Sequence, residues 1–322
     1  MATAFAALMA TPTVPLAQHA TPVDRLARLR AALGPSCPEL LMKRDDLLSF
    51  GGGGNKVRKL QTVARQATAA GADTLITCGG VQSNHARATA AAAAALGLRA
   101  VLVLNGTPPA EATGNYKLDR LFGAEVHFVP TREDRAPTMT IIADQVRAGG
   151  GKPFVVPLGA STPTGAMGFA RGVVELSAAA VRPDAIVHAS SSGGTQAGMI
   201  AGCALVGLRA SVLGVSADDP ATSLAQTIRD LLAAMASQLG AKPETIGLDR
   251  GVDVDDTQVG EGYGVPTPAS IEARELVART EGIVLDQTYT SKAMAGLIGR
   301  VRAGRFDKNQ TVLFWHTGGL TT

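Results

Sequence analysis

Residues 51–56 read Gly51-Gly52-Gly53-Gly54-Asn55-Lys56, and from Lys56 onward helical and extended patterns alternate along the chain. Four consecutive glycines cost backbone entropy on folding, so they indicate an unusual turn or a close approach of a ligand to the backbone. A lysine that follows such a turn at the start of a helix is well placed to face a cleft. The same residues also fit a flexible loop followed by an exposed helix, in which Lys56, Arg58 and Lys59 are surface charges.

The segments after Lys56 predict an α/β fold of strand–helix units around mostly parallel sheets. Short segments that are apolar on both faces predict buried strands at Thr74–Thr77, Ala100–Leu104, Glu125–Val129, Phe154–Val156, Ala185–His188, Ser211–Val215 and Thr311–Trp315. Apolar residues at three- and four-residue intervals predict helices at Val57–Ala69, Asn84–Leu96, Asn115–Leu121, Met139–Ala148, Gly165–Ala180, Thr195–Val206, Ala221–Leu239, Pro268–Thr280 and Ser291–Ala303. The weakly periodic segment 240–264 predicts a long connection that lies over a site.

The composition of the 322-residue chain excludes several classes of protein. Its net charge of +3 comes from evenly scattered charges, so we expect no nucleic-acid partner. Its three cysteines have no paired spacing, which argues against disulfides and a zinc site and favours a cytoplasmic location. The apolar stretch 2–16 follows no Lys or Arg and contains Pro12 and Pro15, so it predicts no signal peptide. No apolar run has the length of a membrane span.

Two loops that join a strand to a helix carry polar residues. In the first, Ser83 or Asn84 is a good N-cap, and the free amides of the helix start form a pocket for a carboxylate. Capping alone, with His85 as a polar residue of the first turn, is the alternative. In the second loop, residues 190–195 combine serines and glycines, which let backbone amides converge and add hydroxyl donors. The helix dipole favours negative charge there, so this loop predicts a phosphate site.

Tyrosine is rare in this chain, and Tyr263 and Tyr289 both lie in polar segments. A phenol in such a segment reaches into a cleft as an acid, a base or a hydrogen-bond donor. Packing against the core is the alternative. The segment His316-Thr317-Gly318-Gly319 follows the last predicted strand, at the sheet edge where ligands of open α/β sheets bind.

Taken in order, these segments resemble the family of 1-aminocyclopropane-1-carboxylate deaminase and D-cysteine desulfhydrase. The resemblance runs from Thr21-Pro22 and Lys43-Arg44-Asp45-Asp46 to the segment 316–319 and so covers most of the chain. It implies a two-domain, tryptophan-synthase-β-like fold of type II with pyridoxal 5'-phosphate in the cleft. Residues 1–53 and 165–322 would form a large cofactor-binding domain, and residues 54–164 a small inserted domain.

The resemblance also implies which residues act on the substrate, a small amino acid. Lys56 would hold the cofactor covalently and move the proton at the substrate Cα. Ser83 would hold the substrate carboxylate, and Tyr263 and Tyr289 would lie near the carboxylate or the leaving group. These four residues would form the catalytic set. The substrate-binding residues would be Ser83, Asn84, His85, Tyr263 and Tyr289, with His85 beside the cofactor ring.

A further set of residues would hold the cofactor. Asn84 would bind its phenolic oxygen, and its phosphate would lie on Ser192-Gly193-Gly194-Thr195. Thr290 would face the pyridine nitrogen, with Thr317 close by. A glutamate at that position, as in the deaminases, would keep the nitrogen protonated, whereas a threonine hydroxyl donates a hydrogen bond without adding charge. The ring is then a weaker electron sink, which suffices when sulfide leaves Cβ.

The resemblance therefore favours a carbon–sulfur lyase that converts D-cysteine to pyruvate, ammonia and hydrogen sulfide. An L-cysteate sulfo-lyase, or an eliminase for chlorinated or hydroxylated alanines, would use the same groups, and Thr290 argues against the deaminase. A phosphate-ligand binding protein without catalysis is the alternative from another class. The family resemblance also leads us to expect a homodimer.

Overall fold

The computed structural model describes residues 1–17 and 19–319. Its strands are β1 (Val23–Arg25), β2 (Glu39–Arg44), β3 (Thr74–Gly80), β4 (Arg99–Asn105), β5 (Glu125–Val129), β6 (Pro153–Val155), β7 (Ala185–Ser190), β8 (Ser211–Ser216), β9 (Asp253–Asp255) and β10 (Thr311–His316). Its α-helices are α1 (Ala2–Ala10), α2 (Ala27–Leu33), α3 (Lys56–Ala69), α4 (Asn84–Ala95), α5 (Gly114–Leu121), α6 (Arg135–Ala148), α7 (Pro163–Ala178), α8 (Gly194–Leu205), α9 (Ala221–Gln238), α10 (Pro268–Glu281) and α11 (Thr290–Arg302).

Strands from both ends of the chain share one six-stranded sheet, in the order β1-β2-β10-β7-β8-β9. Strand β1 pairs antiparallel with β2, and the other neighbours are parallel. The middle of the chain forms a parallel four-stranded sheet, β5-β4-β3-β6. The predicted α/β fold with two mostly parallel sheets is confirmed. We propose that the two sheets mark two domains, and the boundaries at residues 54 and 165 stay predictions.

Strand β10 lies in the middle of the larger sheet and is buried on both faces. Its Leu313 is in register with Leu41 on β2 and Ile186 on β7. On the α7 side, Trp315 packs against Phe169 with ring centroids 5.3 Å apart. This burial explains why the strand reads as a continuous apolar run in the sequence.

Helix α7 packs against both α3 and α8, and small residues make this close packing possible. A Cβ added to Gly168 would lie 2.3 Å from the backbone oxygen of Arg58 on α3. A Cβ added to Gly198 on α8 would lie 2.4 Å from the backbone oxygen of Ala166. Both distances are too short for a side chain, so the glycines hold α3, which begins at Lys56, against the helices of the larger sheet.

Several elements are absent from the sequence prediction. Helices α1 and α2 and strands β1 and β2 precede the first predicted element. Strand β2 ends in Lys43 and Arg44, and charges of this kind are rare in buried strands; here Lys43 is buried and forms an ion pair with Glu175. The segment 240–264, predicted as a long connection, also contains the three-residue strand β9, which pairs with β8.

The apolar stretch at the start of the sequence forms α1. Its buried residues Ala4 and Leu8 pack into the same core cluster as helices α7 and α8. Packing of this kind accounts for its apolar character. Within the described ranges, no helix combines the length and the apolar character needed to cross a bilayer.

Candidate active site

Two adjoining cavities form a cleft where loops that follow strands of both sheets meet. Both cavities are lined by Lys56, Ser191, Ser192 and Tyr289. The larger cavity is also lined by Ser83, His85 and Tyr263, three of the five residues predicted to bind the substrate. Of the other two, Tyr289 lines both cavities and Asn84 lines only the smaller one. The smaller also contains Asn84, Gly193, Thr195 and Thr317, which were predicted to bind the cofactor. Gly194 and Thr290 line neither cavity.

The four glycines before Lys56 form a tight turn. All of Gly51 to Gly54 have φ between 54° and 95°, the left-handed region that favours glycine. At Gly53 an added Cβ would lie 2.6 Å from the backbone oxygen of Leu48. The turn is pinned by Arg87, which donates to the backbone oxygens of Gly52 and Gly53 at 3.0 and 2.8 Å. The sequence therefore codes for a fixed turn.

Lys56 begins helix α3 and faces both cavities. Its surroundings lower the pKa of its ammonium to about 8, because burial penalises the charged form. The alternative of an exposed helix with surface charges is wrong, since Arg58 is only 5% exposed and Lys59 is 0% exposed. A lysine amine with this pKa is partly unprotonated near neutral pH, as a nucleophile or a base must be.

The loop predicted to bind phosphate leads into helix α8. The hydroxyls of Ser192 and Ser161 lie 2.7 Å apart, and the Gly194 amide donates to Ser161 Oγ at 3.2 Å. Asn55, the neighbour of Lys56, donates through Nδ2 to Thr195 Oγ1 at 2.9 Å. The loop and the lysine turn are therefore tied together through side chains.

A second lysine, Lys59, lies beside this loop and was not predicted as a site residue from the sequence. Its Nζ donates to the backbone oxygen of Gly159 at 3.2 Å and to Ser161 Oγ at 3.0 Å, both neutral acceptors. Burial lowers the pKa of Lys59 well below its ordinary value, and the nearby Lys56 cation adds to the effect. Lys59 stands three residues after Lys56, so helical spacing alone places both amines on one face of α3.

Ser83 caps helix α4 and accepts a hydrogen bond from the Ala86 amide at 3.2 Å. This confirms the N-cap, and the start of the helix borders the larger cavity, which Ser83 and His85 line. His85 is buried, and its Nε2 lies 2.7 Å from Thr77 Oγ1. Because the Thr77 hydroxyl donates its one hydrogen to the backbone oxygen of Val156, His85 Nε2 must carry the proton. Burial lowers the pKa of His85, so the ring is neutral.

Tyr263 and Tyr289 meet at the wall of the larger cavity. Their rings pack edge to face with centroids 5.7 Å apart. Arg132, from the segment after β5, lies over the Tyr263 ring with its guanidinium carbon 5.5 Å from the centroid. Arg132 also pairs with Asp218, which follows β8, so this contact joins the two sheets across the cleft.

Thr290 is fully buried at the start of α11, and its hydroxyl is engaged with Asp286. Its Oγ1 donates to Asp286 Oδ1 at 2.7 Å and accepts from the Asp286 amide at 2.9 Å. The hydroxyl hydrogen is therefore used by Asp286, so the predicted donation to a pyridine nitrogen would require rearrangement. Asp286 also accepts the backbone amide of Tyr289 at 2.9 Å, which fixes the tyrosine. An aspartate that accepts backbone amides two to four residues further along the chain is a common local motif, in which the side chain caps a turn.

Comparisons with known proteins identify the family. The family described as pyridoxal-phosphate dependent enzyme matches residues 14–318. The chain is 38% identical over 316 residues to a D-cysteine desulfhydrase of Yersinia pestis (strain Pestoides F), covering 96% of this chain and 94% of that protein. It is 37% identical over 316 residues to a D-cysteine desulfhydrase of Salmonella choleraesuis (strain SC-B67), with the same coverage of 96% and 94%.

Solved structures show a similar fold. An ACC deaminase homologue is similar with a TM-score of 0.91 and 34% identity, covering 100% of this chain and 96% of that one. The processed form of threonine deaminase isoform 2 from Solanum lycopersicum is similar with a TM-score of 0.70, covering 99% of this chain and 84% of that one. Its 17% identity shows the fold alone.

Proposed function

The chain belongs to the family of pyridoxal-phosphate dependent enzymes, and from this premise we propose that it is a D-cysteine desulfhydrase. Its fold is the tryptophan-synthase-β-like fold of type II. The reaction removes the Cα proton and the Cβ sulfur of D-cysteine as hydrogen sulfide, and one water converts the remainder to pyruvate and ammonia.

The residues of the smaller cavity fit the cofactor. A dianionic phosphate needs amide donors and a cation. The start of α8 offers the amides, and Lys59 of α3 offers a buried amine held only by neutral oxygens. A dianion beside this amine would favour its charged form and so oppose the effect of burial on its pKa. Gly194 keeps this place open, since an added Cβ would lie 2.7 Å from Ser161 Oγ and 3.0 Å from Lys59 Nζ. The phosphate would bind at Ser192–Thr195, and Asn84 would bind the phenolic oxygen.

When bound, pyridoxal phosphate supplies an electron sink for the pair left at Cα. The protein residues then hold the substrate and move protons. Lys56 takes the Cα proton, and its lowered pKa suits a base. Ser83 and the first amides of α4 hold the carboxylate. Burial raises the pKa of Tyr289, so its phenol stays protonated and can donate to the departing sulfur.

The observation that carries this proposal is the position of Lys56, on both the cavity predicted for the substrate and the cavity predicted for the cofactor. The test is borohydride reduction of the protein with added pyridoxal phosphate, followed by peptide mapping. We expect the adduct on Lys56, and loss of adduct and of visible colour in Lys56→Ala. The exposed Lys117, replaced by alanine, is the matched control. An adduct elsewhere, or none, would contradict the proposal.

A second candidate is sulfite release from L-cysteate. Arg135 lines the larger cavity, and a guanidinium is well suited to bind a sulfonate. Sulfide and sulfite assays on D-cysteine and L-cysteate decide between the two reactions. A protein that binds pyridoxal phosphate but releases keto acid from none of D- and L-cysteine, cysteate, serine or β-chloroalanine would be a binding protein.

We also propose a cytoplasmic homodimer. All three cysteines are buried and free, which suits a reducing compartment. Light scattering should give twice the mass of one chain, and a monomer would overturn the dimer.

A further inference from the structure

Asn115, in the first turn of α5, is buried and makes three hydrogen bonds, two to the loop that precedes α4 and one to the first residue of α4. Its backbone amide donates to Gln82 Oε1 at 2.8 Å. Its side-chain Nδ2 donates to the backbone oxygen of Gln82 at 2.8 Å and to Asn84 Oδ1 at 2.9 Å. Helix α5 is thus fixed to the loop that presents Asn84 to the smaller cavity.

These contacts determine which way both side-chain amides face. The backbone oxygen of Gln82 can only accept, so the Asn115 atom next to it must be the NH2 group. This NH2 group can only donate, so the Asn84 atom next to it must be Oδ1. A carbonyl of the backbone therefore fixes the orientation of Asn115, and Asn115 in turn fixes the orientation of Asn84.

The orientation of Asn84 decides what it can bind. With Oδ1 engaged by Asn115, the group that Asn84 offers to the cleft is its NH2, a donor. A donor suits the anionic phenolic oxygen of pyridoxal phosphate, whereas a flipped amide would place its oxygen against that anion and repel it. A reversed amide would thus weaken cofactor binding without loss of any residue that touches the cofactor.

We propose that Asn115 is a positioning residue that holds the Asn84 amide with its NH2 group toward the phenolic oxygen of the cofactor. This inference rests on the proposed function, because it requires Asn84 to bind that oxygen. Asn115 itself does not line the cleft. It therefore acts on the cofactor only by orienting Asn84, and the test must compare variants at both positions.

The decisive variant is Asn115→Asp, which has nearly the same shape but offers oxygens where the NH2 was. Asn84 must then turn its NH2 toward position 115 and its oxygen toward the cofactor. We expect the dissociation constant for pyridoxal phosphate to rise about tenfold or more, equivalent to the loss of one charge-assisted hydrogen bond. The visible absorption maximum of the bound cofactor should shift as it does in Asn84→Asp, which mimics the reversed amide.

The controls separate positioning from general damage. Lys117→Ala, on the exposed side of α5, should leave the absorption maximum and the affinity unchanged. In the double variant Asn84→Asp/Asn115→Ala, which places no second carboxylate beside the first, the affinity loss should equal that of Asn84→Asp alone, because the second change has nothing left to orient. Should Asn115→Asp fold poorly by circular dichroism, Asn115→Ala removes the donor altogether. Asn84 can then take either orientation, so we expect a smaller rise in the dissociation constant.

Each result has a defined meaning. Folded variants at position 115 with wild-type affinity and spectrum would overturn the proposal, and so would fully additive losses in the double variant. If Asn84→Asp also leaves both quantities unchanged while Lys56 is still labelled, then Asn84 does not bind the cofactor, and this inference fails while the proposed function stands. If Lys56 takes up no cofactor at all, the proposed function itself fails.

Discussion

The phenolic oxygens of Tyr263 and Tyr289 lie 2.5 Å apart at the wall of the cleft. Only one of the two hydrogens can lie between them, so the other hydroxyl keeps a hydrogen for a third partner. Burial raises the pKa of both phenols, and for Tyr289 the neighbouring Tyr263 adds to the effect. Both are therefore protonated at neutral pH and can donate to a leaving group.

This arrangement predicts that Tyr289→Phe lowers kcat for D-cysteine by about a hundredfold or more, the usual contribution of a general acid. Tyr263→Phe should lower it less, because Tyr263 is 37% exposed and solvent can replace its hydrogen bond. With β-chloro-D-alanine, whose chloride leaves without a proton, both losses should shrink. Equal losses on the two substrates would exclude a role at the leaving group.

Lys56 should make cofactor uptake depend on pH. Only the unprotonated amine attacks an aldehyde, and burial lowers the pKa of Lys56 to about 8. The rate at which pyridoxal phosphate attaches to the apoprotein should therefore rise with pH and reach half its maximum near pH 8. Stopped-flow absorbance measures it. A rate that still rises steeply at pH 10, as expected for an ordinary exposed lysine, would contradict the lowered pKa of Lys56.

Much of the site is predictable from the sequence because its elements are local. The turn before Lys56, the cap at Ser83 and the Ser192–Thr195 loop each lie within a few residues, where glycine, serine and helix-start chemistry can be recognised. Contacts between distant residues cannot be recognised in this way. Asn115 lies 31 residues from Asn84, and Arg132 lies 86 residues from Asp218. The pairing of β3 with β4 in the smaller sheet brings Asn84 and Asn115 together, and the packing of the two sheets brings Arg132 to Asp218.

Arg132 provides a prediction for the mouth of the cleft. It stacks on Tyr263 and pairs with Asp218, so Arg132→Gln should release both and raise KM several-fold, from the loss of roughly 1 kcal/mol. Arg132→Lys keeps the charge but loses the planar group, and should recover only part of the effect. Arg99→Gln removes an arginine from the exposed pair with Glu125 and serves as the control. An unchanged KM in Arg132→Gln would show that the contacts of Arg132 with Tyr263 and Asp218 do not contribute to substrate binding.

Asp119 predicts a pH dependence of stability. It is fully buried on α5, and neither of its carboxylate oxygens has a hydrogen-bond partner within the described residues. Burial raises its pKa to about 7, an effect that the Arg87 cation partly opposes. In the unfolded chain an aspartate has a pKa of about 4. The folded protein therefore holds this proton more tightly than the unfolded chain does.

The sign of the effect follows from that difference. Below about pH 4 both states are protonated and the contribution of Asp119 is fully present; between about pH 4 and pH 7 the unfolded chain loses its proton first, and up to about 4 kcal/mol of stability is lost. The amide in an Asp119→Asn variant cannot titrate. The melting temperature of the wild type minus that of the variant should therefore fall as the pH rises from about 4 to about 7, and stay constant above that range. Thermal denaturation of the two apoproteins at several pH values measures the difference. A difference in melting temperature that stays constant between about pH 4 and pH 7 would contradict this prediction. It would mean that Asp119 is ionised in the folded protein and pairs with Arg87, which also holds the turn before Lys56.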